Sequence, residues 1–312
     1  MKEYNLALVL GGGGVRCMAH LGVFRALHEH GIEPDLIVGS SIGSVLGGVY
    51  AYIRDPHYVD IFADKFSKNE TLIRLENILR GSGGNILTKL ISKTAYAASV
   101  IHACRRHGFL SEELVRKAFR NILGKGILNS HKFLLEDTAI PFAALTTDYA
   151  SAEAVAVTQG ELPKFLYASS AFPGICKPVL HGDRVLMDGG IISVLPVMAA
   201  HLLGAKKIIA VDTEAVVTRS HLKNSIQSIN TATDIRGFRL NLVEKCLADI
   251  TISPAIKNYR FFEFSKWEAC RKAGYDSTIE CIDSIKSIAS SSESVKSYQR
   301  TSYESYYPFA VI

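Results

Sequence analysis

Residues 6–10 form an unbroken apolar run ended by four glycines, the pattern of a strand buried on both faces. The period then changes. Between residues 15 and 30 apolar side chains recur at 15, 18, 19, 23, 26 and 27, which is helical spacing, and Gly31 stands where a C-terminal cap is expected. Residues 36–38 predict a second buried strand, and the nearly all-apolar stretch 42–53 a helix buried on most sides. The opening fifty residues therefore read strand, glycine loop, helix, strand, tight turn, helix.

Residues 54–132 are more charged and mostly helical in pattern, with a capped amphipathic helix over 111–124. Within them, residues 86–104 carry an apolar stripe that reads either as a core-packing helix or as an interfacial lid. Gly81-Ser82-Gly83-Gly84 would hinge such a lid. Strand character returns at 140–147 and 153–158, followed by a short helix at 164–171 and a short strand at 185–187. A helix at 195–203, a strand at 207–212, a late strand at 249–252 and a late helix at 265–273 complete the pattern. From residue 284 the chain is rich in Ser and Tyr and poor in aliphatics, which predicts a flexible tail over 284–312. Strands alternating with helices predict an α/β fold whose mostly parallel sheet carries helices on both faces.

Composition supports such a core. Of 312 residues, 48% are hydrophobic and 21% charged, which excludes a disordered chain. The net charge of +5 gives no footprint for nucleic acid and is compatible with an anionic membrane surface. Six scattered cysteines form no metal-binding spacing and read as reduced, packed thiols. The first residues lack the basic, apolar and small-residue regions of a Sec signal peptide, and no segment has the apolar density of a transmembrane helix. The expectation is a cytoplasmic or peripheral membrane protein, with export independent of a signal peptide left open.

Three segments carry candidate chemistry. Gly39-Ser40-Ser41-Ile42-Gly43 matches G-x-S-x-G between a predicted strand and a predicted helix, the context in which this turn exposes a nucleophilic Ser. Gly39 and Gly43 remove Cβ atoms from that turn, and the following helix points its N-terminus at developing negative charge. The loop Gly11-Gly12-Gly13-Gly14-Val15-Arg16 fits neither G-x-G-x-x-G, which would need Gly at position 16 or 17, nor a Walker A sequence. Its amides suit an oxyanion, with Arg16 adding charge or holding the loop. Asp188-Gly189-Gly190 follows a short strand; its carboxylate reads as a base near Ser41 or as the acceptor of an Asx turn. A Ser hydrolase usually sets His between Ser and Asp, and His181, His201 and His221 are the candidates for that place.

Taken in order, the loop Gly12 to Arg16, the elbow Gly39 to Gly43 and the triplet Asp188 to Gly190 resemble the patatin-like phospholipase family. Ala168-Ser-Ser-Ala-Phe-Pro-Gly174 and Leu203-Gly-Ala-Lys-Lys-Ile-Ile-Ala-Val-Asp212 are similar to stretches of its bacterial members. The chain departs from the family pattern at Cys17, where Gly is common, and at Ser193, where Asn is frequent. The resemblance implies a three-layer α/β/α sandwich and lipid acyl hydrolysis by a Ser41–Asp188 dyad. It places Gly12, Gly13, Gly14 and Arg16 at the oxyanion site, with no metal and no cofactor. The partner it implies is a phospholipid or another acyl-ester lipid at a membrane surface. Residues 1–283 then form one acyl-hydrolase domain, with its core at 5–214, a helical insertion near 54–132 and an appended region at 215–283. An esterase or thioesterase with a Ser-His-Asp triad, and a non-catalytic lipid-binding member of the family, are the competing readings.

Overall fold

The computed structural model describes residues 2–68, 112–113, 133–173, 176–214, 225–256, 259, 263–291 and 307–312. The helices expected at 86–104 and 111–124, and most of the expected insertion at 54–132, lie outside the described residues, apart from 54–68 and 112–113.

Strands β1 (Tyr4–Leu10), β2 (Leu36–Ser40), β3 (Phe142–Asp148), β7 (Ala205–Val211) and β8 (Ile250–Ile252) form the parallel body of the sheet. Its order is β3-β2-β1-β7-β8. β1 pairs β2 on one edge and β7 on the other. The chain runs on from β1 to β2 on one side and from β7 to β8 on the other, so the strand order switches direction between β1 and β7, the place where sheets of this kind bind ligands at the carboxyl ends of their strands. Three shorter strands extend the β3 side. β4 (Ala154–Val157) and β6 (Arg184–Asp188) run antiparallel to β3, and β5 (Val179–His181) forms a hairpin with β6 through Gly182, at φ 58°. That hairpin was not expected from the sequence: at three residues β5 is too short to show a period.

Alternation along β1 divides the core in two. Leu6, Leu8 and Leu10 join Ile37, Ile209 and Val211 on one face. Ala7 and Val9 join Val38, Ala143, Ile208 and Ala210 on the other. Helices α1 (Ala19–Glu29), α2 (Ile42–Ile53), α3 (Pro56–Ser67) and α4 (Leu162–Ser169) cover the first face, through Phe24, Leu46, Phe62 and Phe165. The second face is rich in alanine, and α5 (Val197–Leu202) and the C-terminal end of α6 (Ser225–Leu247) lie over it. This is the three-layer α/β/α arrangement expected from the sequence.

The C-terminal region is built into these layers. α7 (Trp267–Glu280) crosses α1 so closely that a Cβ on Gly274 would sit 1.9 Å from the Ala19 carbonyl oxygen. Two stretches of the expected tail carry regular structure. Residues Ile282–Ser290 form α8, which buries Ile282, Ile285 and Ile288, and Lys207 Nζ donates to its Ile288 carbonyl at 3.0 Å. Residues Phe309–Val311 form β9, parallel to β4 with Ala310 opposite Val155. Three apolar residues beside Ser and Tyr are too few to show a period; the open edge of β4 gives them a place to pair.

Candidate active site

Ser41 sits between β2 and α2 at φ 55° and ψ −130°, a conformation non-glycine residues rarely hold. The flanking glycines make the turn sterically possible. A Cβ on Gly39 would lie 2.5 Å from Ser44 Cα, and one on Gly43 would lie 2.5 Å from the Gly11 carbonyl oxygen. The Ser41 amide donates to Ser169 Oγ at 3.1 Å, and that hydroxyl donates to the Leu145 carbonyl at 2.6 Å. Ser169, on α4, thus ties the strained turn to β3.

Sheet register brings Asp188 to this turn. β2 pairs with residues 142–145 of β3, and β6 pairs with residues 146–148. β4 pairs with residues 144–147, and a strand has only two edges, so β2 and β6 share one edge of β3 and meet end to end. Ser40 is opposite Leu145 and Asp188 opposite Thr146, so both chain ends arrive at one point. There Ser41 Oγ donates to Asp188 Oδ2 at 2.9 Å. The other carboxylate oxygen accepts the Gly190 amide at 2.7 Å. The base and Asx-turn geometries are therefore both present, one on each oxygen of the same carboxylate. Gly189 is required by crowding, since a Cβ there would lie 2.3 Å from the Leu145 carbonyl oxygen.

Both side chains are buried, Asp188 to 3% exposure. Burial pushes the Asp188 carboxyl up to about 6, while hydrogen bonds from Gly190 and Ser41 and the positive charge of Arg236 pull in the other direction. Among the described residues, no histidine is hydrogen-bonded to Ser41 or Asp188. His201 lies against the Leu247 carbonyl at 2.9 Å, and His181 is exposed on β5 with its ring edge-on to Phe165. His221 lies outside the described residues.

The glycine loop is pinned from several sides. Gly11 N–H donates to the Val211 carbonyl and Gly12 N–H to the Val194 carbonyl, at 3.0 and 2.8 Å. Thr213 Oγ1 donates to the Gly12 carbonyl, and His20 Nε2 lies 2.8 Å from the Gly11 carbonyl oxygen. The Gly12 amide, expected at an oxyanion, is thus already engaged. The Gly13 and Gly14 amides have no acceptor among the described residues. Both glycines are at positive φ, 148° and 63°. Arg16 is buried with Nε on the Thr213 carbonyl and Nη1 on the Tyr259 carbonyl, and its guanidinium faces Glu214. Of the two roles read from the sequence, charge at an oxyanion or a hold on the loop, these contacts correspond to the hold.

Three supporting residues escaped the sequence reading. His20 is fully buried on α1, and burial lowers its pKa to about 4, so its ring is neutral and Nε2 is the donor to Gly11. Its one signal was a polar residue in a helix otherwise apolar on that side. Ser169 lay within the 168–174 stretch, where the sequence offered no role for it. Glu244 on α6 had no local signal. Its carboxylate accepts Ser193 Oγ at 2.9 Å and Met198 N–H at 2.7 Å, while the Ser193 carbonyl accepts Ser40 Oγ. Burial pushes the Glu244 carboxyl up to about 7.

The chain is similar to several known proteins. A family model described as patatin-like phospholipase matches residues 8–201. Lysophospholipase NTE1 of Mycosarcoma maydis is 31% identical over 212 residues, 68% of this chain and 10% of that protein. An uncharacterized NTE family protein of Mycobacterium tuberculosis is 30% identical over 246 residues, 75% of this chain and 59% of that protein. Patatin-like phospholipase domain-containing protein 7 of Rattus norvegicus is 31% identical over 209 residues, 66% of this chain and 13% of that protein. The chain thus spans from about a tenth to about three fifths of the length of these relatives. The crystal structure of VipD from Legionella pneumophila aligns with a TM-score of 0.46 at 14% identity, covering 91% of this chain and 67% of that one. With the family model matching well over half of its residues, this chain belongs to the patatin-like phospholipase family.

Proposed function

We propose that the protein hydrolyses fatty-acyl esters of phospholipids or lysophospholipids through a Ser41–Asp188 dyad and an acyl-serine intermediate. The observation that carries this reading is the 2.9 Å hydrogen bond from Ser41 Oγ to Asp188 Oδ2 on a strained strand-to-helix turn. The lysophospholipase name of one relative and the phospholipase name of the family support the substrate class.

In acylation, Ser41 Oγ attacks the ester carbonyl carbon as its proton passes to Asp188 Oδ2. The negative charge that forms on the carbonyl oxygen is held by the Gly13 and Gly14 amides, the two loop donors left without an acceptor among the described residues. Collapse breaks the ester C–O bond, and Asp188 returns the proton to the departing alcohol oxygen. Water then gives a proton to Asp188 and attacks the acyl carbon. Release of the fatty acid returns that proton to Ser41 Oγ. An ordinary Asp is a weak base for this work; burial of Asp188, with its carboxyl near 6, strengthens it. Acylation should therefore rise with pH through about 6 and level off above it.

A fluorophosphonate probe tests the reading. It should label the wild type and leave Ser41→Ala unlabelled, while Ser41→Ala also loses fatty-acid release from lysophosphatidylcholine. No label on folded wild-type protein, or a label that survives Ser41→Ala, would overturn it.

A further inference from the structure

α6 is amphipathic in reverse. Gly237, Asn241, Glu244 and Ala248 are buried at spacings of four, three and four, so they form one inward stripe that runs just past the helix end. Two of its four residues, Asn241 and Glu244, are polar. Outward, Ile235, Leu240, Leu242 and Val243 are exposed, Ile235 to 47% and Val243 to 59%. Isolated exposed apolar residues need no explanation, but these four stand together on less than three turns.

The inward contacts fix this orientation. Glu244 accepts Ser193 Oγ and the Met198 amide, and Asn241 Nδ2 donates to Asp212 Oδ1 at 3.0 Å. Turning the apolar side inward would break all three and leave buried groups unpaired, so the face stays in solvent. The same helix adjoins the dyad. Arg236 Nη2 donates to the Gly190 carbonyl at 3.2 Å, two residues from Asp188, and Gly237 packs toward Val194.

We propose that the outer face of α6 is the surface by which this protein docks on an anionic phospholipid bilayer. The proposal rests on the lipid substrate of the preceding reading, and three observations favour a bilayer as the occupant. Arg236 and Arg239 are exposed among the apolar residues, and no carboxylate stands among the described side chains of that face. Apolar side chains interleaved with arginines suit the boundary between acyl chains and anionic headgroups. The net charge of +5 has the same sign. Docking there also brings the bilayer alongside the turn that carries Asp188, so an ester has a short path to Ser41. α6 lies on the surface and does not span it: among the described residues no helix is long and apolar enough to cross a membrane.

Full-length wild type and the double variant Leu242→Glu/Val243→Glu would be compared by co-sedimentation with phosphatidylcholine vesicles, with and without phosphatidylglycerol. Wild type should bind the anionic vesicles more tightly and lose that preference in high salt. The variant should bind at least about tenfold more weakly and lose fatty-acid release from vesicles. Its hydrolysis of a soluble short-chain ester and its fluorophosphonate labelling should equal wild type, because neither residue touches the dyad. Unchanged vesicle binding in a variant that labels normally would overturn the docking surface and leave the dyad standing. A wild-type dimer that the variant splits, with vesicle binding unchanged, would assign the face to a second copy and equally overturn the proposal. Loss of labelling in wild type would count against the dyad alone, since vesicle binding is read without catalysis.

Discussion

Replacing Asp188 with Asn should make the protein more stable at alkaline pH while removing its activity. Both carboxylate oxygens accept a hydrogen bond, at 2.7 Å from Gly190 and 2.9 Å from Ser41. Burial outweighs both and raises the carboxyl from 3.8 to about 6. The folded state therefore binds this proton more tightly than the unfolded chain does. The resulting stability is complete below about pH 4 and is lost as pH rises through about 6. Over that window the ionised carboxylate costs the fold about 3 kcal/mol. Asn keeps an oxygen for the Gly190 amide and carries no charge, but its amide meets Ser41 as a donor, which returns part of the gain. The expected advantage is about 1–3 kcal/mol near pH 8 and close to zero near pH 4. Urea unfolding followed by the fluorescence of Trp267, the one tryptophan of the chain, measures it at both pH values. Glu244 titrates in both proteins, so the difference between them isolates Asp188. Fluorophosphonate labelling of the variant should fall at least about a hundredfold. An Asn variant less stable than wild type near pH 8, or one whose advantage does not change with pH, would refute the argument that a buried carboxylate is held here against its solvation.

Other outcomes follow from the same geometry. Ser41→Gly should be more stable than Ser41→Ala by about 1–2 kcal/mol in thermal unfolding, because both lose the hydroxyl but only Gly relieves the backbone at φ 55°. Glu244→Gln should be more stable than wild type above about pH 7, by about 1 kcal/mol, and lose that advantage below about pH 4.5. The sign follows because burial raises this carboxyl from 4.5 to about 7 in the folded protein, and urea titrations at several pH values check it. His20→Phe should lower kcat about tenfold or more on a soluble ester with KM nearly unchanged, since it frees the Gly11 carbonyl and loosens the loop proposed to hold the developing charge. His20→Gln, which restores an N–H near the Nε2 position, should recover most of that loss; equal losses in both variants would mean that His20 only fills space.

Several parts of this protein are fixed by short-range rules and were readable from the chain. The run at 6–10, its glycines and the helical spacing after them specify strand, loop and helix because burial and backbone freedom act over a few residues. Gly39 and Gly43 mark the turn at Ser41 for the same reason, since a Cβ at either position would collide with nearby backbone. Two short strands were not readable: β5 and β9, at three residues each, exist because a strand edge was available to pair them, whereas β8, equally short, was legible as the strand at 249–252.

What remained was decided by register and burial across long separations. Asp188 meets Ser41 because β2 and β6 end at the same point of β3, 147 residues apart in sequence. The glycine loop looked equally able to donate at each amide, and only the fold directs Gly12 to Val194 and leaves Gly13 and Gly14 without an acceptor among the described residues. Arg16 became the tie of that loop because the carbonyls of Thr213 and Tyr259 lie beside its guanidinium. The orientation of α6 is the clearest case. Hydropathy alone would turn Leu242 and Val243 inward, yet the buried acceptors and donors around Ser193, Met198 and Asp212 hold Glu244 and Asn241 there instead. A sequence records which residues prefer water, but only the tertiary structure determines which buried polar groups must be paired, and that demand outweighs the preference.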